Sequence, residues 1–384
     1  MTNNASNNLA VNYSLNTGNL WLNCNYPETL KNASLANSGK CLNKVDVNAG
    51  THQIFFSYQG GSGADEVPST TALYFSIMVV KRAGTDAISF TNLKQGIRTS
   101  KNYGTDWSPV NSGSWEDYFA STAKPSVVLK NTGDFGWLVQ DFAKESGAKL
   151  ISGNVQFSIT GGATVYIFAH TNTSFTNCSS LSPYEKPSSE NNGMYSGYAY
   201  GYKYTANITL DANTLPTTAN IDKKFLLLNY PTDSRLNNVK INSQTAPNNS
   251  DLIELNLNTT PSRKINAGTS NHNLGNWGAM YEYTFTFTNS DTNNPKTVNF
   301  YYQSDTSNVG EYPVIQYVQS GVSKVLWPTG SNVMKCPSTG CWNFFTAAID
   351  KSAGINGIPA ATQTFCYILG PNSCSKKMMF LDRN

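Results

Sequence analysis

From Tyr281 onward the chain alternates without a break. Tyr281, Tyr283, Phe285 and Phe287 fall on one side, and Glu282, Thr284, Thr286 and Thr288 on the other. A period of two in aromatic and threonine residues marks a half-buried antiparallel strand. The polar run 289–295 then reverses the chain, and Val298, Phe300 and Tyr302 resume the alternation. Residues 275–303 are therefore expected to form a long β-hairpin.

Similar signals recur along the chain. Residues 52–58 read as a short strand, and 72–80 (ALYFSIMVV) as a central strand with both faces covered. Further strands are expected at 88–93 and 126–129. The segments 155–159 and 164–169 predict a hairpin around Thr160-Gly161-Gly162-Ala163. Trp115, Tyr118 and Phe119 lie at helical offsets and predict one or two helical turns within 107–120, and 141–149 reads as a short helix or loop. Residues 172–192 carry Ser, Asn and Pro with no periodicity. Beyond them Tyr198, Tyr200, Tyr202 and Tyr204 recur at every second position, which on one strand would align four tyrosines on one face. Short strands follow at 208–210, 224–228, 252–257, 313–318, 322–327, 342–348 and 364–369.

Short strands at intervals of roughly 8 to 15 residues, separated by Gly, Asn, Asp and Pro, predict an all-β fold. The expected architecture is two antiparallel β-sandwich domains, jelly-roll or Ig-like, with little helix. A length of 384 residues suits two domains. The expected division is 1–20 as an N-terminal tail or edge strand, 21–171 as the first sandwich and 172–195 as a linker. Residues 196–384 form the second sandwich, with a cysteine-containing C-terminal region.

Composition narrows the function classes. Charged residues make up 13% of the chain, about half the usual share, and Asn, Ser and Thr supply the polarity. Such a surface is common in extracellular β-proteins, and biased codon usage is the alternative origin. The net charge is +3 with no run of Lys or Arg, so there is no electrostatic footprint for nucleic acid. No apolar run reaches the roughly 18 residues of a spanning helix. The start MTNNASNNLAVNYS lacks a basic head and an apolar core, so it does not read as a signal peptide. Either Met1 precedes a mature secreted chain or the protein is made without a signal, and cysteine usage favours the first. Of the seven cysteines, local pairs suggest disulfides Cys24–Cys41, Cys336–Cys341 and Cys366–Cys374, with Cys178 unpaired; other connectivities are equally allowed. The spacing of the last four departs from zinc knuckles.

Two separated regions, Asn25-Tyr26-Pro27-Glu28 with Gly50-Thr51-His52 and the strands through Val80, and Asn276-Trp277-Gly278-Ala279-Met280-Tyr281, resemble uncharacterised secreted β-rich proteins of cyanobacteria and clostridia. The resemblance implies an exported β-rich protein and supplies no catalytic residue.

Candidate chemistry is sparse. His52, His170 and His272 stand in no metal or hydrolase motif, although His170 at a strand end can join a site assembled in space. Glu282 and Glu254 are strand carboxylates of the kind a polysaccharide hydrolase pairs across a cleft. Loop oxygens in 289–294 suit calcium, so calcium is a possible cofactor, with no EF-hand pattern present. The tyrosine row Tyr198, Tyr200, Tyr202 and Tyr204, preceded by Met194 and Tyr195, is the binding candidate, because tyrosine combines apolar area with a polar tip. Core packing is the alternative for the row, as for Trp107, Trp115, Trp277 and Trp342. The expected function is an extracellular, non-catalytic structural or adhesion protein of a bacterial cell surface, of surface-layer or appendage type, acting by self-association. The alternatives are a carbohydrate-binding module using the tyrosine strand, whose partner is a cell-surface glycan, and a secreted polysaccharide hydrolase.

Overall fold

Strand formation follows the alternation closely, but two of the strongest turn signals do not join paired strands. A computed structural model describes residues 8–9, 12–24, 30, 39–60, 67–68, 71–84, 86–101, 107–171, 196–215, 226–228, 253–254, 263–264, 278–304, 314–327, 342–368 and 377–383. β1 (Asn8–Leu9), β2 (Ser14–Leu15), β3 (Leu20–Cys24), β4 (Lys40–Val47), β5 (Gly50–Gln59), β6 (Tyr74–Lys81) and β7 (Ile88–Ser100) precede helix α1 (Trp107–Ala120). β8 (Val127–Leu129), β9 (Phe135–Ala143), β10 (Leu150–Ile159), β11 (Ala163–His170), β12 (Ser196–Tyr200) and β13 (Lys203–Asp211) follow it. Then come β14 (Leu226–Leu228), β15 (Ile253–Glu254), β16 (Arg263–Lys264), β17 (Met280–Thr288) and β18 (Lys296–Ser304). β19 (Val314–Gln319), β20 (Val322–Leu326), β21 (Trp342–Ile349), β22 (Ala361–Ile368) and β23 (Lys377–Arg383) complete the chain. The fold is all-β, as expected.

The chain divides into two compact units, one from Asn16–Tyr202 and Ala246–Gly278, the other from Met1–Leu15, Lys203–Thr245 and Ala279–Asn384. Each is discontinuous in sequence, whereas the expected division at 172–195 was continuous. The break between Tyr202 and Lys203 follows Gly201, whose φ of 80° is open to glycine.

The first unit holds an eight-stranded sheet, in the order β16-β15-β12-β3-β5-β10-β7-β8, and a four-stranded sheet, β4-β11-β6-β9. Both contribute to one apolar cluster, with Leu22, Ile54, Phe56, Val155 and Phe157 from the first and Val45, Phe75, Ile77, Val165 and Ile167 from the second. β6 lies inside its sheet and is buried along most of its length, as its apolar run predicts. The aromatic spacing in 107–120 gives a full 14-residue helix rather than one or two turns. It packs on the outer side of β7 and β10, where a side chain at Gly96 would collide with the Ser114 carbonyl. Residues 141–143, expected in a helix or loop, instead end β9.

The second unit holds a six-stranded sheet, β2-β13-β17-β22-β19-β20, and a five-stranded sheet, β1-β14-β23-β18-β21. Its core joins Tyr281, Tyr283, Phe285, Phe287, Phe365 and Tyr367 of the first sheet to Val298, Phe300, Phe344 and Leu381 of the second.

Both expected hairpins are absent. β17 pairs with β13 and β22, while β18 pairs with β21 and β23. Likewise β10 pairs with β5 and β7, and β11 with β4 and β6. The polar turns 289–295 and 160–162 do reverse the chain, but each carries it from one sheet to the other. The reason is burial: strands with a fully apolar face are better satisfied by facing each other across a core than by lying side by side. Among the described residues no helix is long and apolar enough to cross a membrane.

Candidate functional site

β4 reads KCLNKVDV, and after a register shift its residues Lys44 and Asp46 point outward while Val45 and Val47 are buried. The ladder places Lys44 opposite Tyr166 and Asp46 opposite Thr164. It continues to Met78 and Val80 on β6, then to Trp137 and Phe135 on β9. The outer face of the four-stranded sheet is therefore aromatic. Half-buried Tyr166, Trp137 and Phe135 pack over buried Cys41, Met78 and Phe168. Tyr166 stacks on Phe168 at 5.8 Å and 3°, and Lys44 Nζ lies 5.4 Å from the Tyr166 ring centroid, within cation–π range.

Asp46 joins this face to the tyrosines of β12. Its Oδ1 accepts from Thr164 Oγ1 at 2.7 Å, and its Oδ2 lies 3.4 Å from the Arg82 guanidinium. Arg82 is held in turn by donating to Val47 O at 3.1 Å and Asn48 Oδ1 at 2.6 Å. Tyr198 and Tyr200 meet edge to face at 5.9 Å and 89°. Tyr198 is half-buried against the core, whereas Tyr200 is 54% exposed. Burial first, then Tyr200 and the Asp46 charge, raise the pKa of the Tyr198 hydroxyl, so it stays a neutral hydrogen-bonding group at ordinary pH. The surface thus offers aromatic rings, a carboxylate and a fixed guanidinium within one unit.

The tyrosine row does not act as one face. Tyr202 is buried and its hydroxyl accepts from Gln156 Nε2 at 3.1 Å. Tyr204 is buried in the second unit, stacked on Tyr281 at 5.3 Å and 10°. Gly201 interrupts the strand, so parity carries across the break in sequence but not in space. Of the four, only Tyr198 and Tyr200 are brought together at the surface. Lys44, Asp46, Thr164, Tyr166 and Arg82 were not singled out from sequence. The signal that could have found them was the Lys44-x-Asp46 alternation on a strand whose other side is Val45 and Val47.

The remaining candidates are accounted for structurally. Cys24 belongs to the inner cluster, its Sγ 2.7 Å from Tyr58 Oη, while Cys41 lies on the outer face and donates to Asn43 O at 3.3 Å. The expected Cys24–Cys41 pairing is not formed, because the two sulfurs lie in different clusters; no disulfide is formed among the described residues. Cys366 is buried in β22. Cys178, Cys336, Cys341, Cys374, His272, Met194, Tyr195, Trp277 and the side chains of Glu254, Trp107 and Trp342 lie outside the described residues. Trp115 is core.

His52 Nδ1 accepts from the Leu20 amide at 3.0 Å and Nε2 meets Asn48 O at 2.9 Å, which assigns the proton to Nε2. Burial holds its pKa below the usual histidine value. His170 Nε2 is 2.8 Å from Ser76 Oγ and 3.5 Å from Asp141 Oδ1. A hydrolytic relay needs hydroxyl and carboxylate on opposite ring nitrogens with the hydroxyl open to substrate. Here both address one nitrogen, Ser76 and His170 are fully buried, and Ser76 Oγ accepts from the Asp141 amide at 2.9 Å. The trio instead pins the bulge where Asp141 adopts φ 46°.

Glu282 is engaged by Lys203 Nζ at 3.2 Å. In the 289–294 loop Asp291 accepts from the Asn293 amide at 2.9 Å and the Asn294 amide at 3.1 Å, and the Lys296 ammonium sits on its Oδ2 at 2.5 Å. Lys296 thus places a positive charge on this loop's carboxylate. Among the described residues no three His, Cys, Asp or Glu side chains converge as a metal site.

No protein-family model matches this chain, and no curated protein sequence matches it.

Proposed function

We propose that this chain is an extracellular, non-catalytic protein, built as two β-sandwich domains, that binds glycan through the outer surface of its first unit. The observation that carries the reading is the exposed Tyr200 ring, set edge to face against Tyr198, whose hydroxyl feels the Asp46 carboxylate that Thr164 and Arg82 hold in place. Sugars present an apolar face of C–H groups and a rim of hydroxyls. They are matched by aromatic rings flanked by fixed acceptors and donors. The outer face of the four-stranded sheet, with half-buried Tyr166 and Trp137, offers aromatic rings of the same kind in the same unit. The low charge of the whole chain favours a neutral ligand over an ionic one.

Screening the purified protein against immobilised glycans, followed by titration of hits, tests the reading. Tyr200→Ala and Asp46→Asn are each expected to weaken binding roughly tenfold, equivalent to ~1.4 kcal/mol. Absence of any glycan hit, or unchanged affinity in both variants, would rule it out.

A second reading, self-association as a surface-layer or appendage component, is favoured by a different observation. Among the described residues, the outer edge of β13 is paired by β2 at Tyr204 and Thr205 and nowhere else.

A further inference from the structure

His52 joins two halves of the candidate surface inside the first unit. It is the third residue of β5 and only 2% exposed. The parallel ladder between β3 and β5 opens with Trp21 beside Gln53, so the position before it sets Leu20 beside His52. There the imidazole stands in for a backbone carbonyl, its Nδ1 accepting from the Leu20 amide at 3.0 Å. On the other side of the ring Nε2–H donates to Asn48 O at 2.9 Å.

Each of these bonds leads to the surface. Leu20 is the register partner of Tyr200 in the ladder of β3 and β12, and one residue earlier Asn19 O accepts from the Gly201 amide at 2.7 Å. The start of β3 therefore places the exposed Tyr200. Asn48 Oδ1 accepts from Arg82, whose guanidinium lies 3.4 Å from Asp46 Oδ2. One buried ring thus ties the backbone beside Tyr200 to the turn that holds Arg82 and Asp46. Among the described residues the ring faces Phe157 of β10 at 5.3 Å between centroids, Leu20 of β3, and Asn48 and Gly50 of the β4–β5 turn. None of these is charged, and Arg82 and Asp46 are joined to the ring through Asn48.

We propose that His52 is a pH-sensitive latch on the candidate surface: neutral, it fixes the start of β3 and with it Tyr200; protonated, it frees them and glycan binding weakens. The inference rests on the glycan reading, for which it supplies the regulation. The neutral ring suits both neighbours because one nitrogen accepts while the other donates. A second proton makes Nδ1 a donor set against the Leu20 N–H. The amide then loses its acceptor in a buried place, and the ring carries a charge there with no carboxylate bonded to it; both cost free energy. Drawing the start of β3 away from β5 relieves both, and Tyr200 moves with its register partner. Thr51 N–H, bonded to Asn19 Oδ1 at 2.9 Å, does not titrate and limits the movement. Burial favours the neutral ring, so the latch is closed at neutral pH and opens as pH falls below the ordinary histidine value of about 6.5.

NMR of the ligand-free protein tests the latch. Between pH 7.5 and 5 the ring nitrogen shifts of His52 are expected to pass from the Nε2–H tautomer to the doubly protonated form. Protection of the Leu20 and Gly201 amides, corrected for intrinsic exchange, is expected to fall about tenfold over that range, with Val165 and Phe285 unchanged as controls for the two cores. His52→Gln is expected to abolish this dependence. A ring that stays neutral to pH 5, or Leu20 and Gly201 amides that open no more than Val165, overturns the proposal, and neither result requires the variant to fold. Screening the immobilised glycans at both ends of the range reads the effect on binding. Wild-type signals are expected to drop about fivefold at pH 5, and those of folded His52→Gln to stay within about twofold. Equal wild-type signals at the two values overturn the regulatory role and leave glycan binding standing. An array dark at both values removes the glycan reading instead, and the amides then decide whether the latch exists.

Discussion

Phe285 and Phe300 meet edge to face, 5.2 Å apart at 73°, from two sheets that share no hydrogen bond between their strands β17 and β18. Phe300 also contacts Phe287, Phe344, Phe345 and Phe365, so one ring centres the core of the second unit. Truncation there removes both transfer free energy and contacts on every side. Phe300→Ala is expected to destabilise the unit by about 3–5 kcal/mol in denaturant unfolding. A loss below about 1 kcal/mol would mean that the two sheets do not meet at this ring.

Tyr200 and Tyr202 are two residues apart and differ in role. Tyr200→Ala is expected to leave the unfolding midpoint within about 0.5 kcal/mol of wild type, since its ring is largely solvated. Tyr202→Ala leaves a cavity and removes the acceptor of Gln156, and is expected to lower stability by about 2–4 kcal/mol. Thermal melts of the two variants distinguish a surface ring from a core ring.

Helix α1 lies against the backbone of β7 because position 96 has no side chain. Gly96→Val is expected to displace the helix and expose Trp115, which is fully buried. A red shift in tryptophan emission with a lowered melting temperature checks this; unchanged emission and melting would contradict the close approach.

Asp291 has its carboxyl held well below the usual range, first by Lys296 and then by the Asn293 and Asn294 donors. A depressed folded value means that the unfolded chain takes up the proton first. The loop's contribution is therefore complete above the unfolded carboxylate value of about 4 and is lost as pH falls below it. The gap in melting temperature between wild type and Asp291→Asn is expected to be constant from pH 7 to 5 and to narrow progressively as pH falls below about 4. A gap that is as wide at pH 2 as at pH 7 would contradict the assignment.

His52 contributes with its own window. Burial favours its neutral form, so its folded pKa lies below the unfolded value of about 6.5. The unfolded state binds the proton more readily, and stability is expected to fall as pH drops below about 6.5 towards the folded value. Replacing the ring by Gln should flatten the pH dependence of the melting temperature in that window, and an unaltered slope would locate the dependence elsewhere.

Strand existence was legible wherever one face is apolar and the next polar. The burial of β17 alternates as its aromatic and threonine residues do, and the all-apolar β6 lies inside its sheet. The turns at 289–295 and 160–162 were legible as reversals. The candidate surface was legible only in part. Tyr198 and Tyr200 stood out, but Asp46 comes from β4, Thr164 and Tyr166 from β11 and Arg82 from the residue after β6, and no local spacing connects them.

By itself, then, the sequence determined that this chain is β-rich, where it turns and which side of each strand is buried, because these follow from side-chain polarity at a period of two. Only the tertiary structure decided which strands pair. A reversal leaves open whether the next strand lies beside the last or faces it across a core, and that choice depends on where distant apolar faces such as Phe365 and Leu381 find their partners. The same long-range choice split the tyrosine row at Gly201, sending Tyr200 to solvent and Tyr204 into a core.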